Sequence, residues 1–141
     1  MKTQISILLI LACLAALAGC GGNEAAVPSS GVYRMEVPED KAIWAPMLSL
    51  DPEEQHFLFY YDQLSAWLNS GTYRIEGDLL IAANNPITHD ERQFVFRIVD
   101  SKTLAFVEDQ SSPLRPLQDE RFGVPLYDGA RFVLKEEEPA P

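Results

Sequence analysis

The side chains that could take part in metal chemistry are few and widely spaced in this sequence. The two histidines are His56 and His89, and His89 is followed directly by Asp90 and Glu91. Metal sites need three or four ligands that converge from fixed elements, and the sequence has no H-E-x-x-H or comparable spacing. We therefore interpret both histidines as solvated loop residues and predict no metal site.

Pairs of carboxylates could act as general acid and base. They lie in polar, turn-forming stretches, where water removes the burial that a catalytic acid needs. The pairs are Asp51 with Glu53 and Glu54, Asp90 with Glu91, and Asp119 with Glu120. No serine lies in a G-x-S-x-G motif, and no glycine-rich phosphate loop is present in the sequence. The sequence therefore predicts a protein that is not an enzyme and that uses no cofactor.

Cysteine occurs only near the N-terminus, as Cys13 and Cys20. Lys2 precedes an apolar run at residues 5–18, which is typical of a secretory signal peptide. As a helix these fourteen residues would span about 21 Å, whereas a bilayer hydrocarbon core is about 30 Å thick. A permanent membrane span is therefore the weaker interpretation.

The run ends in Leu17-Ala18-Gly19-Cys20, which resembles the lipobox of bacterial lipoproteins. The resemblance implies cleavage before Cys20 and a diacylglycerol on its sulfur, with residues 1–19 removed as the signal peptide. Several acyl chains on one residue suffice for stable anchoring. We therefore expect a protein attached to the cell membrane by lipid on Cys20, on its extracytoplasmic side. A plain signal peptide followed by a chance cysteine is the alternative.

Cleavage would leave 122 residues, enough for one domain. Loss of Lys2 would change the formal charge from −10 to −11. Such acidity argues against nucleic acid as a partner, because phosphate binding needs clustered Lys and Arg. With Cys13 removed and Cys20 blocked by lipid, the mature chain would have neither a disulfide nor a free thiol.

Composition divides the mature chain into three parts. Residues 20–30 are small and flexible and are predicted to form a tether between lipid and domain. Residues 31–135 are predicted to form one β-domain. Residues 136–141 are acidic and broken by proline, which predicts a disordered tail.

Apolar residues within 31–135 repeat mostly with a period of two, which predicts strands. The alternation is clearest at 57–61, 94–99, 104–106 and 132–134. Gly77-Asp78 lies between two β-rich runs and predicts a hairpin with a type II′ turn. A second turn is predicted at Asp100-Ser101-Lys102, which makes the strands an antiparallel meander.

The segment 51–68 carries two patterns. Asp51-Pro52-Glu53-Glu54 could begin a helix, with Asp as its N-cap and Pro at its first position. The aromatic and aliphatic residues at 57–61 favour a strand instead, and 51–54 equally suits a turn. We predict turn and strand, and leave room for a short helical turn near 63–68.

The strand and turn pattern resembles the small lipocalin-like β-domains of Firmicute envelope proteins. The residues that carry the resemblance are Phe57-x-Phe59-x-Tyr61, Leu64-Ser65, Gly71-Thr72-Tyr73, Leu79, Phe94-x-Phe96-x-Ile98, Leu104-x-Phe106, Ser111-Ser112 and Asp128-Gly129-Ala130-x-Phe132. The resemblance implies an all-β fold, an antiparallel meander that curls into a small barrel or half-barrel. It implies no activity and no site residues, and the longer loop at 84–91 departs from the pattern.

The aromatic residues Trp44, Tyr60, Tyr61 and Trp67 could line a ligand cavity. A small barrel also needs large side chains to fill its interior, and we favour core packing. Among them, Trp44, Tyr61 and Trp67 are the candidate ligand-binding residues. Two functions remain open: a non-catalytic module that binds another envelope protein, which we favour, and a lipid-anchored carrier or sensor of a small hydrophobic ligand.

Overall fold

The computed structural model of the protein describes residues 26–66, 68–85 and 91–136. Eight antiparallel strands follow one another around a closed barrel, and the last strand pairs with the first. The strands are β1 (Gly31–Met35), β2 (Met47–Asp51), β3 (His56–Tyr60), β4 (Asn69–Glu76), β5 (Leu79–Asn84), β6 (Gln93–Asp100), β7 (Thr103–Phe106) and β8 (Arg131–Lys135). The predicted all-β, lipocalin-like meander is therefore confirmed, and it closes completely.

The barrel interior is packed with aromatic rings. Phe59 is 0 % exposed, and its ring centroid lies 5.0 Å from that of Phe94 and 5.3 Å from that of Phe96. Phe96 lies a further 5.3 Å from Phe132 and 5.6 Å from Phe106. Most of these pairs meet edge to face, the arrangement that aromatic rings prefer. An eight-stranded barrel is just wide enough for side chains to fill it, and here they do.

The two ends of the barrel differ in their connections. At one end, here called the turn end, strands are joined by the short turns 52–55, 77–78 and 101–102. At the other, the loop end, the connections are long: 36–46, 61–68, 85–92 and 107–130. Since β1 starts and β8 finishes beside the turn 52–55 and the turn 101–102, the chain enters and leaves the barrel at the turn end.

The local turn predictions are confirmed. Residues 77–78 form the two-residue loop between β4 and β5, and Gly77 has φ 62°. Asp78 does not share this positive φ, and a positive φ at the first loop position alone suits a type II′ turn. Ser101 and Lys102 connect β6 to β7 as predicted.

The ambiguous segment resolves as turn and strand. Asp51 Oδ1 accepts the backbone N–H of Glu53 at 3.0 Å, which closes the turn before β3. Residues 63–64 form a turn rather than a helix, with the Ser65 N–H bonded to the Asp62 carbonyl. The helical segment of the described chain is instead a 3-10 helix, Glu39–Trp44, which the sequence analysis did not predict.

Three residues assigned to the tether, Pro28, Ser29 and Ser30, lie against the barrel, and the Ser30 hydroxyl donates to the Leu50 carbonyl at 3.4 Å. Pro28 is buried, and the Ser29 N–H donates to the Ser101 carbonyl at 2.8 Å. The hydroxyl of Tyr33 lies 2.8 Å from the Ser29 carbonyl and 3.0 Å from the Ser101 carbonyl. Burial raises the pKa of Tyr33 to about 12. These contacts fix the point at which the chain reaches the turn end. Glu136 closes the described chain, and the rest of the predicted tail lies outside it.

Candidate functional site

The loop end is covered by the connection between β7 and β8, residues 107–130, here called the cap segment. Leu114, Val124 and Leu126 of this segment pack on the barrel core. Ser111 fastens its beginning, because its Oγ accepts the Val95 N–H at 2.9 Å and donates to the Val107 carbonyl at 2.7 Å. The cap segment is therefore held at its start by hydrogen bonds and along its length by apolar contacts.

Between the cap segment and the barrel mouth lies a polar cavity of about 210 Å³. On one side it is bounded by residues near the start of β4 and the end of β5, and on the other by the cap segment. The lining residues are Tyr61, Asp62, Ser65, Leu68, Asn69, Asn84, Arg92, Arg115, Pro116 and Gln118. We call this space the mouth cavity.

Two bonds from the cap segment fix one wall of the mouth cavity. The buried carboxylate of Asp62 accepts the Gln118 N–H at 2.9 Å through Oδ2 and the Leu64 N–H at 3.1 Å through Oδ1. The Tyr61 hydroxyl accepts the Arg115 N–H at 3.2 Å. Each carboxylate oxygen has two acceptor positions, so Asp62 keeps the capacity to accept further bonds.

The opposite wall contains two buried asparagines. Asn84 Nδ2 donates to Asn69 Oδ1 at 3.2 Å, and Asn69 Nδ2 donates to the Phe59 carbonyl at 3.3 Å. Asn84 is 6 % exposed, and its Oδ1 has no hydrogen-bond partner among the described residues. A buried acceptor without a partner costs about 1–3 kcal/mol of folding free energy, so Asn84 Oδ1 destabilises the folded barrel.

Two arginines supply the positive charge of the mouth cavity. Arg92 is half-buried, and within the described chain its guanidinium forms neither an ion pair nor a hydrogen bond. Arg115 is more exposed and stands at the cap-segment side. In an acidic chain, the cavity thus brings two guanidinium groups together with the Asp62 carboxylate.

An apolar patch lies on the outer surface of the loop end. Ile43 is 74 % exposed, and the Trp44 ring lies 5.4 Å from that of Phe122. The Arg121 guanidinium stands 5.3 Å from the Phe122 ring centroid, and Lys41 Nζ donates to the Arg121 carbonyl. Exposed apolar clusters with a polar rim are common at protein-binding surfaces.

The predicted site residues do not converge on one site. Trp44 belongs to the outer patch. Tyr61 lies at the edge of the barrel core, with its ring centroid 5.6 Å from that of Phe59, and it also lines the mouth cavity. Trp67, Cys20 and His89 lie outside the described residues. His56 is exposed at the start of β3, with Nδ1 3.6 Å from Glu54 Oε2.

Sequence reasoning missed Asn69, Asn84 and Arg92. A signal was present for Asn84, because the alternation Leu80, Ala82, Asn84 puts a polar residue at an inward position of a strand. A buried polar group is more informative than an apolar one, since it needs a partner. No pattern in the sequence marked Arg92, because its position in the cavity depends on the tertiary structure.

In the described part of the chain, no group of three or more His, Cys, Asp or Glu side chains could hold a metal ion. None of the described helices is long and apolar enough to cross a membrane. Comparisons of the chain with protein-family models, with curated proteins and with solved structures find no match.

Proposed function

We propose that the protein is an extracytoplasmic lipoprotein, anchored in the cell membrane by lipid on Cys20, whose β-barrel is a non-catalytic binding module. Its binding face is the loop end, which carries the mouth cavity and the apolar patch of Ile43, Trp44 and Phe122. The patch is suited to another protein of the cell envelope. We base it on the lipobox resemblance and on the difference between the turn end and the loop end of the barrel.

One observation carries the proposal: the chain enters the barrel at the turn end, and the long connections are at the opposite end. Seven residues, 21–27, separate the lipidated cysteine from the buried Pro28, so the two Cα atoms are eight residue steps apart. A flexible chain of this length spans about 15 Å on average and about 27 Å when extended. The tether would therefore keep the turn end close to the bilayer and direct the loop end away from it.

The packed interior favours this role over a carrier of a hydrophobic ligand. A carrier needs an apolar cavity, and ligand pockets are commonly about 300–1,000 Å³. The core rings around Phe59 and Phe96 occupy the barrel axis at van der Waals spacing instead. The apolar groups left for recognition are those of the outer surface.

The carboxylate pairs at 51–54 and 119–120 support a non-catalytic role, and Asp90 lies outside the described residues. Asp51, Glu53, Glu54 and Glu120 are exposed, and Asp119 is paired with Arg121 at 2.6 Å. This pairing lowers the pKa of Asp119, the opposite of what a general acid near neutral pH requires.

Intact-mass measurement and membrane fractionation test the proposal. The full chain is expressed in a bacterium beside a Cys20→Ser variant. We expect the wild-type protein to start at Cys20, to carry diacylglycerol mass and to sediment with membranes, while the variant does not. Identical soluble, unmodified products would refute the anchor and with it the proposed role.

A further inference from the structure

We infer that the apolar patch binds a basic segment of a partner protein, in which an apolar side chain is flanked by lysine or arginine. The inference rests on the proposed function and deepens it, because it names the chemistry of the partner. It follows from the way the 3-10 helix Glu39–Trp44 meets the cap segment and from the charges around the patch.

The 3-10 helix presents different faces to the cap segment and to solvent. Residues three apart lie above one another in a 3-10 helix, so Lys41 shares one face with Trp44, and Asp40 shares another with Ile43. Lys41 and Trp44 both contact the cap segment, through a hydrogen bond of 3.1 Å and a ring contact of 5.4 Å. Asp40 and Ile43 are exposed, so this second face is open to a partner.

The open part of the apolar patch is held at a fixed position. Ile43 is 74 % exposed and Phe122 is 41 % exposed. Ala45 and Gly123, the residues that directly follow the patch in the two segments, are buried. Since both segments are fixed to the barrel before a partner arrives, little conformational freedom of the patch is lost on binding.

The charges around the apolar patch are mostly negative. Three exposed carboxylates beside it form neither an ion pair nor a side-chain hydrogen bond within the described chain: Glu39, Asp40 and Glu120. Arg121 is already paired with Asp119 at 2.6 Å, and Lys41 Nζ is bonded to the cap segment. Four carboxylates and two cations give this rim a net charge of −2.

The turn end differs from this rim in the pairing of its charges. Three exposed acidic residues near the turn end have basic partners, with nitrogen–oxygen distances of 2.7 Å, 3.4 Å and 3.1 Å: the pairs are Arg74–Glu76, Arg97–Asp78 and Lys102–Glu136. Around the apolar patch, among the residues that the structure describes, only Asp119 has such a partner. The patch therefore combines exposed apolar surface with carboxylates that are free to pair with a ligand.

Charge complementarity selects the occupant of the patch. A lysine or arginine of the partner can pair with Asp40 or Glu120, while an apolar side chain of the same segment covers Ile43. The charge pairs steer association and fix its orientation, and the apolar contact supplies affinity. A second copy of this chain would bring the same negative charge to the patch, and anionic lipid phosphate would be repelled in the same way.

The test is an NMR titration of the mature full chain, kept in nonionic detergent if it carries lipid. The probe is the end-blocked peptide Lys-Lys-Trp-Leu-Lys-Lys. One control peptide, Glu-Glu-Trp-Leu-Glu-Glu, reverses the charge, and the other, Lys-Lys-Gly-Ser-Lys-Lys, lacks the apolar centre. We expect the probe to bind at least fivefold more tightly than either control. It should shift the backbone amide signals of residues 39–44 and 120–123 and leave those of the turn 52–55 unchanged.

Single variants assign the binding to the patch. Ile43→Ser removes an exposed apolar side chain, and Asp40→Asn removes an unpaired charge. The matched controls are Val99→Ser, at a residue of β6 that is 50 % exposed, and Glu53→Gln, in the exposed turn 52–55. Probe affinity should fall at least threefold in Ile43→Ser and at least twofold in Asp40→Asn, and it should stay unchanged in both controls.

Four results would overturn the inference. They are a probe that binds no more tightly than a control peptide, amide shifts at the turn end instead of the patch, equal losses of affinity in Ile43→Ser and Val99→Ser, and patch signals that shift with protein concentration alone. The last result would assign the patch to a second copy of this chain. A lipidated protein that fails to bind the probe would refute the basic partner alone, and an unlipidated protein that binds it would refute the anchor alone.

Discussion

Asn84 at the end of β5 and Asn69 at the start of β4 are joined by a side-chain hydrogen bond, in which Asn84 Nδ2 donates to Asn69 Oδ1 at 3.2 Å beside an apolar core. Asn69 Nδ2 in turn donates to the Phe59 carbonyl at 3.3 Å, near the loop-end terminus of β3. This pair is the point where the packed interior ends and the polar mouth cavity begins. It connects the barrel core to the lining of the mouth cavity.

Replacing Asn69 by Leu should destabilise the barrel by about 1–3 kcal/mol, because the Asn84 amide and the Phe59 carbonyl both lose their partner. Adding Asn84→Leu should recover part of that loss, since no unpaired side-chain amide then remains in the wall. Urea unfolding of the two single variants and the double variant measures the coupling. Strictly additive losses would show that the two amides do not act as a pair.

Truncation of Phe59 should destabilise the barrel far more than truncation of Leu58. Phe59→Ala removes a ring that contacts four other aromatic rings and should cost about 3–5 kcal/mol. Leu58 is the next residue of the same strand, points outward and is 41 % exposed, so Leu58→Ala should change stability by no more than about 0.5 kcal/mol. Thermal unfolding measures the stability of both variants. Similar losses of stability would contradict the assigned strand register.

Gly71 should tolerate no side chain. A Cβ at this position would lie 2.1 Å from the Ala83 carbonyl oxygen, which is backbone and cannot move aside cheaply. Gly71→Ala should therefore cost about 1–3 kcal/mol or more and disturb the pairing of β4 with β5 next to Asn84. Gly77→Ala is a contrasting control, since its site has open space but a positive φ, and it should cost only about 1 kcal/mol.

The free energy of unfolding should fall at high pH, because Tyr33 then loses its proton. Its pKa is raised to about 12 by burial, whereas an unfolded tyrosine titrates near 10. The folded state thus holds the proton more tightly, so this contribution is complete below pH 10 and is lost as the pH rises towards 12. The shift corresponds to roughly 2–3 kcal/mol.

The measurement is the free energy of unfolding from pH 8 to 12 for the wild type and for Tyr33→Phe. At pH 8 the variant should be weaker by about 1–2 kcal/mol, because it loses the bonds to the Ser29 and Ser101 carbonyls. The difference in free energy of unfolding between Tyr33→Phe and the wild type should become smaller as the pH rises above 10. A constant difference would show that Tyr33 does not titrate with unfolding.

Much of the barrel could be predicted from the sequence, because local rules and the global fold agree there. The alternation around Phe59 and Phe96 predicts two strands and which of their side chains point into the core. Gly77 predicts the turn between β4 and β5. The 3-10 helix at Glu39–Trp44 escaped prediction, because nothing in its short sequence distinguishes it from a loop.

The mouth cavity was not predictable in the same way. Its members come from four separated segments, and the cap segment reaches them through backbone donors at Arg115 and Gln118, which leave no pattern in the sequence. Only Asn84, a polar residue at an inward strand position, pointed to it. The lipobox resemblance at Leu17-Ala18-Gly19-Cys20 depends on sequence alone and lies outside the described residues, so lipid attachment at Cys20 stays a prediction.

Labelling of single cysteines on the lipidated protein tests whether the barrel is anchored at its turn end and presents its loop end. Glu53→Cys places a thiol in the exposed turn 52–55, and Glu120→Cys places one in the exposed cap segment. Lipid on Cys20 would block the remaining thiol of the mature chain. The rate of reaction with a polyethylene-glycol maleimide is compared in liposomes and in detergent.

We expect Glu120→Cys to react equally fast in liposomes and in detergent. Glu53→Cys should react several-fold more slowly in liposomes, because the bilayer shields the turn end. Equal rates for both variants in liposomes, slower labelling of Glu120→Cys, or failure of the protein to associate with liposomes would contradict this orientation.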